Sequence, residues 1–235
     1  MGTDIVAAFA AAFALITGLD PEFLGIVWLG LRVTLIALAL AALVGLPLGG
    51  LLAISRFRGR SVVVVAVNAL MGLPPVVAGL VVFLVLSRSG PLGGLGWLFS
   101  PAAMVVAQTL LILPIVVALT RQVVEDLWAE YRDHLRSLGT TGLSAVPTLL
   151  WDGRFSLATV LLAGFGRASA EVGAVLVVGG NIAGHTRTMT TAIALETSKG
   201  DLPLALGLGL TLLALTLAIN AAAFAAGRVG ARFAG

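Results

Sequence analysis

Five hydrophobic segments of membrane-crossing length constrain this 235-residue chain more than any other feature: 23–55, 62–86, 102–120, 157–178 and 204–226. An α-helix needs about 20 apolar residues to cross the ~30 Å hydrocarbon core. Lipid offers no partner for a free backbone amide, so segments this apolar must be helical inside it. Only 11% of the residues are charged, less than half of the roughly 25% typical of a soluble domain. Mean hydropathy is +1.10. Such a chain cannot cover a water-facing globule, and an all-α, polytopic transmembrane bundle of about five spans is expected.

The formal charge of +3 does not point to nucleic acid, because the arginines lie between apolar runs and form no basic stripe. Cysteine is absent, which excludes disulfides, thiol nucleophiles and thiolate metal sites. Residues 5–15 are apolar but follow Asp4, and no Lys or Arg occurs before Arg32. The stretch lacks the basic start of a cleaved signal peptide and is too short to span. An interfacial segment over residues 1–22 is expected, turning into the first span at Asp20-Pro21-Glu22. A frayed apolar tail is the alternative.

Arginine placement sets the orientation. The first connection holds Arg56, Arg58 and Arg60; the third holds Arg121, Arg132, Arg136 and Arg154; the tail holds Arg228 and Arg232. An odd number of spans puts these on one side, against Arg88, Arg187 and Lys199 on the other. The positive-inside rule then places the N-terminus outside and the C-terminus in the cytoplasm. The domain reading is an interfacial segment (1–22), a transmembrane domain (23–228) carrying a cytoplasmic loop (121–156), and a tail (229–235). Pro74-Pro75 interrupts the second span; in a bundle such a pair marks either a simple kink or a broken helix lining a cavity.

The third connection carries nine of the chain's charged residues between Arg121 and Arg154. Val123, Leu127, Tyr131, Leu135 and Leu138 recur at spacings of three and four, an apolar helical stripe. Gly139 stands at a helix C-terminus, Thr140-Thr141-Gly142 makes a turn, and Pro147 begins a second short helix.

The order of spans, cytoplasmic helix–Gly–helix loop and two more spans resembles the binding-protein-dependent permeases of ABC importers. Their loop signature, Glu-Ala-Ala, three residues, Gly, meets Asp133, His134, Leu135 and Gly139 here, keeping the acidic character of the first place and the glycine. Further on, Gly166-Arg167-Ala168-Ser169-Ala170-Glu171-Val172-Gly173-Ala174 and Val178-Gly179-Gly180-Asn181-Ile182 look like the oxyanion branch, which imports molybdate, sulfate and tungstate. The run from Thr186 to Asp201 is similar to tungstate-type permeases in particular, and Pro74-Pro75-Val76-Val77-Ala78-Gly79 also fits the branch.

The resemblance implies a type I ABC importer permease (MetI-like) architecture. It also implies that Asp133, His134, Leu135 and Gly139 belong to a coupling loop docking on a separate ATPase. The expected partners are two ATP-binding cassette ATPase subunits, a periplasmic or lipid-anchored anion-binding protein, a second copy of the chain and the lipid bilayer. No cofactor, metal or nucleic acid is expected.

Arg167 and Glu171 fall within the fourth span, where a charge costs about 2.5–3.5 kcal/mol on insertion scales and should not face lipid. Four residues apart, they would share one helix face. Either they are an element of the anion path or they are a buried pair that fixes packing. Gly164, Gly166 and Gly173 on the same span suit close helix approach. Asn181, Thr190 and Thr191, at its outer end, would line a gate or cap loops.

Lys199 follows no Gly-rich run, so there is no P-loop. His134 and His185 lie on opposite sides, and no zinc-protease pattern exists. A stand-alone secondary carrier or a polytopic membrane enzyme is the competing class. A carrier should show inverted repeats and midplane carboxylates; Glu171 is the single acid within a span and no clear repeat is visible.

Overall fold

The computed structural model describes residues 9–10, 13–14, 17–18, 20–137, 139–140 and 142–233. The interfacial segment expected over residues 1–22 therefore lies largely outside the described residues, as does Leu138 of the apolar stripe. Every regular element among the described residues is helical: α1 (Pro21–Ile54), α2 (Arg60–Met71), α3 (Pro75–Leu86), α4 (Pro101–Ser137), α5 (Val146–Asp152), α6 (Arg154–Ser169), α7 (Gly173–Gly179), α8 (Met189–Lys199) and α9 (Leu202–Phe233). Three of these, α1, α4 and α9, are each long and apolar enough to cross a membrane, and the bent pairs α2–α3 and α6–α7 raise the number to five. The expected count of about five is reached when each bent pair forms one broken crossing beside the three continuous ones.

The two breaks differ in origin. Between α2 and α3, Pro75 cannot donate to a helical ladder and Pro74 is held extended at φ −61°, ψ 127°, so the interruption is local. Between α6 and α7, residues 170–172 contain neither Gly nor Pro. This corrects the expectation that Arg167 and Glu171 share the face of one continuous helix: α6 ends at Ser169, and Glu171 stands in the break.

The third connection also differs from its reading as a loop with separate helices. At 37 residues α4 runs unbroken from the span to Ser137, about 55 Å at 1.5 Å per residue. The change at Thr120/Arg121 is one of hydropathy; nothing there stops the helix.

The chain packs as two compact units, one of residues 1–37, 74–108 and 168–221, the other of 38–73, 109–167 and 222–235. In the first, Phe23 and Ile26 of α1 bury against Met189, Ala192 and Leu208, and α3 lies tightly on α7. A Cβ on Gly79 would come within 2.8 Å of the Ala174 Cα, and one on Gly173 within 2.9 Å of the Val76 Cγ2. Backbones this close need glycine, the way small residues serve membrane helix pairs.

In the second unit, α1 meets α4 at Gly49, where a Cβ would stand 2.7 Å from the Val117 carbonyl oxygen. A second core joins Ala53 and Ile54 to Val124, Ala145, Val146 and Leu149, with Leu135 packed against it. A Cβ on Gly164 would come within 3.2 Å of the Leu38 Cδ1, a tight fit, while one on Gly166 would meet open space, so the glycine stripe serves helix packing at two of its three positions. No residue of α2 is buried although it is almost wholly apolar. Trp28, Leu43 and Leu217 are likewise exposed. Water would penalise such surfaces, and lipid does not.

Candidate functional site

Two groups of residues carry candidate function, one in each unit. The first surrounds the break after α6. Breaking a helix at 170–172 frees backbone groups that lipid cannot satisfy, and local polar side chains take them up. Glu171 is only 3% exposed, and its Oε1 accepts from the Ala174 N–H at 2.9 Å, capping the start of α7. A carboxylate in that place suits the free amides at a helix start.

The Thr190 hydroxyl donates to the Glu171 carbonyl at 2.7 Å, fastening the break to the start of α8. Gln108 of α4 donates from Nε2 to the Ala168 carbonyl at 3.1 Å. The Glu171 N–H donates to the same oxygen at 3.2 Å.

The α7–α8 connection is held in the same way. Thr186 donates to the Gly179 carbonyl at 2.6 Å and accepts from the Ile182 N–H at 2.9 Å. Asn181 adopts φ +50°, a left-handed conformation that asparagine tolerates better than most residues. Its Nδ2 donates to the Thr191 carbonyl at 3.4 Å. Thr191 is buried and closes a capping box with Thr188 at the start of α8, so its hydroxyl is committed to the helix.

Glu171 and Thr190 are thus brought together, as are Asn181 and Thr191. Arg167 is half-buried in the last turn of α6 and belongs to the other unit. Among the described residues, Gln108 Oε1 and Asn181 Oδ1 are buried acceptors without a hydrogen-bond partner.

Sequence reasoning missed Gln108, Thr186 and Thr188. A lone amide inside the apolar 102–120 run was the available signal for Gln108; nothing local marks the threonines. It also missed Glu196, a second buried carboxylate, which accepts from Lys199 at 2.9 Å. Arg187, counted only as outer charge, lies 3.9 Å from Glu22.

The second group is the polar, C-terminal end of α4. Gly139 has φ +79°. The Gly139 N–H donates to the Arg136 carbonyl and the Thr140 N–H to that of Leu135, both at 3.0 Å. This is the Schellman closure that a glycine past a helix end provides. Leu135 packs inward on the core, while Asp133 and His134 are exposed. Asp133 lies 3.3 Å from Arg132, a surface pair worth at most about 1 kcal/mol, which leaves its carboxylate open to a partner. At Tyr131, the neighbouring Glu130 charge and a hydrogen bond to it raise the phenol above its ordinary pKa, with smaller contributions from burial and Asp152.

Glu125 anchors the base of this arm. One carboxylate oxygen pairs with Arg60 and the other with Arg121 at 2.5 Å. Arg60 also donates from Nε to the Leu52 carbonyl at 3.0 Å, covering the free end of α1.

No protein-family profile matches the chain. It is 40% identical over 217 residues to the tungstate uptake system permease protein of Peptoclostridium acidaminophilum, covering 92% of this chain and 95% of that protein. A probable anion ABC transporter permease protein of Haloferax volcanii is 42% identical over 208 residues, covering 86% and 87% respectively. A more distant relative is the molybdenum transport system permease protein of Azotobacter vinelandii, 30% identical over 194 residues, with 74% and 81% covered.

Proposed function

The chain belongs to the family of ABC transporter permeases that import oxyanions, and from that premise we propose that it forms the membrane path of a tungstate importer. One observation carries this reading: the 40% identity to a tungstate uptake permease extends over 95% of that protein's length and 92% of this chain. Molybdate and sulfate, the cargo of more distant relatives, are the second reading. The chain is a multi-pass membrane protein and a transport subunit. In this reading ATP hydrolysis falls to a partner subunit; the sequence of this chain contains no P-loop.

In the proposed cycle two copies related by a twofold axis enclose the path, each bound by one ATPase subunit. The N-terminus is outside, the C-terminus cytoplasmic, and a binding protein delivers the anion from outside. Asp133, His134, Leu135 and Gly139 form the coupling arm. Asp133 and His134 face the ATPase, Leu135 ties the arm to the core, and Gly139 sets the turn. ATP binding draws the two arms together and opens the path outward; hydrolysis resets it.

Arg167, Glu171, Asn181, Thr190 and Thr191 form the polar element of the path. Arg167 attracts the dianion, and the buried carboxylate of Glu171 keeps it from being held too tightly to leave. Thr190 and Asn181 offer neutral hydrogen bonds, and Thr191 supports both through its helix cap. The test is reconstitution in liposomes with and without the ATPase and the binding protein. Transport should require all three components; uptake by the chain alone would overturn the reading in favour of a self-sufficient carrier.

A further inference from the structure

Within the second unit, two cavities meet at Ser55 and Phe57, and we propose that together they hold one anionic phospholipid. The first, about 650 Å³, is lined by Arg56, Arg136, Trp128 and Leu143 among others. The second, about 370 Å³, is an apolar groove that includes Leu48, Leu52, Val63, Val67, Leu113 and Val117. Ser55 and Phe57 line both. A basic pocket thus lies beside an apolar trough between α1, α2 and α4, with Ser55 and Phe57 on the border of both.

The charges in the pocket are unspent. Arg60 and Arg121, by contrast, share Glu125. Among the described residues, no carboxylate or carbonyl pairs with the side chain of Arg56 or Arg136, and both residues are exposed. Two guanidinium groups in one pocket match a phosphate diester, whose oxygens they can bind in a bidentate fashion. Trp128 lines the pocket together with the two arginines and adds an amphipathic ring of the kind favoured at membrane interfaces.

The adjacency of the two cavities selects the occupant. A soluble anion would answer the arginines and leave the groove bare. An apolar helix from a second copy would cover the groove and leave the arginines unanswered. A lipid with an anionic head fits both at once, as basic pockets between spanning helices on a cytoplasmic face do. The leaflet that supplies it rests on the proposed orientation; the binding does not.

The test is native mass spectrometry of the full chain purified from membranes, titrated with phosphatidylglycerol and phosphatidylcholine of equal chain length. The wild type should retain phosphatidylglycerol preferentially. Arg56→Gln with Arg136→Gln should cut that preference roughly thirtyfold, two basic contacts' worth. Val63→Trp, which fills the groove and keeps both charges, should weaken both lipids. Soluble glycerol phosphate should not compete.

Equal retention of the two lipids, an unchanged preference in the double variant, or displacement by glycerol phosphate would each overturn the proposal. Efficient disulfide formation between copies carrying Val67→Cys would do so too, since a second copy would then occupy the groove. None of these readouts depends on which anion the chain transports.

Discussion

Replacing Gly79 by alanine tests the close approach of α3 and α7 that holds the break at Glu171. The added Cβ would lie 2.8 Å from the Ala174 Cα and 3.1 Å from its carbonyl oxygen, where carbon contacts ordinarily begin at about 3.5–4.0 Å. Both neighbours are backbone atoms, so no side chain can rotate away and the helices must separate by roughly 1 Å. Overpacking of this kind costs about 1–3 kcal/mol. Alanine also recovers about 0.8–1 kcal/mol of helix propensity over glycine.

Gly166→Ala in α6 supplies the control, because nothing lies within 4 Å of its Cβ position. Both changes share the propensity gain, so their difference isolates the overpacking. Unfolding of the purified chain in mixed micelles, followed by circular dichroism against denaturing detergent, should place Gly79→Ala about 1–3 kcal/mol below Gly166→Ala. Equal stability within about 0.5 kcal/mol, the usual range for harmless surface changes, would refute the close approach.

Gly139→Pro cannot adopt φ +79°, and it should uncouple ATP hydrolysis from uptake in the reconstituted complex, as should Asp133→Arg; normal coupling in both would mean the arm is misassigned. Arg167→Gln should slow anion flux while the complex still elutes intact on gel filtration; dissociation would instead assign Arg167 to assembly. Thr190→Val removes the 2.7 Å hydrogen bond to the Glu171 carbonyl and should cost about 1–3 kcal/mol, the penalty for an orphaned buried acceptor. Its flux should fall with expression unchanged, and wild-type stability would show that the tie is not needed.

The spans were readable because lipid imposes a length and forbids exposed amides. The break at Pro75 was readable because proline announces its missing donor. Gly139 was readable because a glycine closing a periodic stripe is a local signal, and its φ of +79° agrees. The second break was not readable. What stabilises residues 170–172 lies elsewhere in the chain: Gln108, 60 residues before the carbonyl it binds, and Thr190, 19 residues after Glu171.

The Arg60–Glu125 tie, bridging 65 residues, escaped for the same reason. Hydropathy also placed a boundary at Thr120, because it reports solvent and α4 does not end where lipid does. Around the candidate path, residue types were visible and their commitments were not. Thr191 reads like Thr190 in sequence, yet its hydroxyl is spent on a helix cap.

Isotopically labelled tungstate uptake, in cells with and without this chain, tests the central claim most directly. Trace tungstate should accumulate only when the chain is present, and accumulation should persist against a hundredfold excess of molybdate or sulfate. Uptake that survives loss of the chain, or that either competitor abolishes while tungstate itself does not, would contradict the assignment.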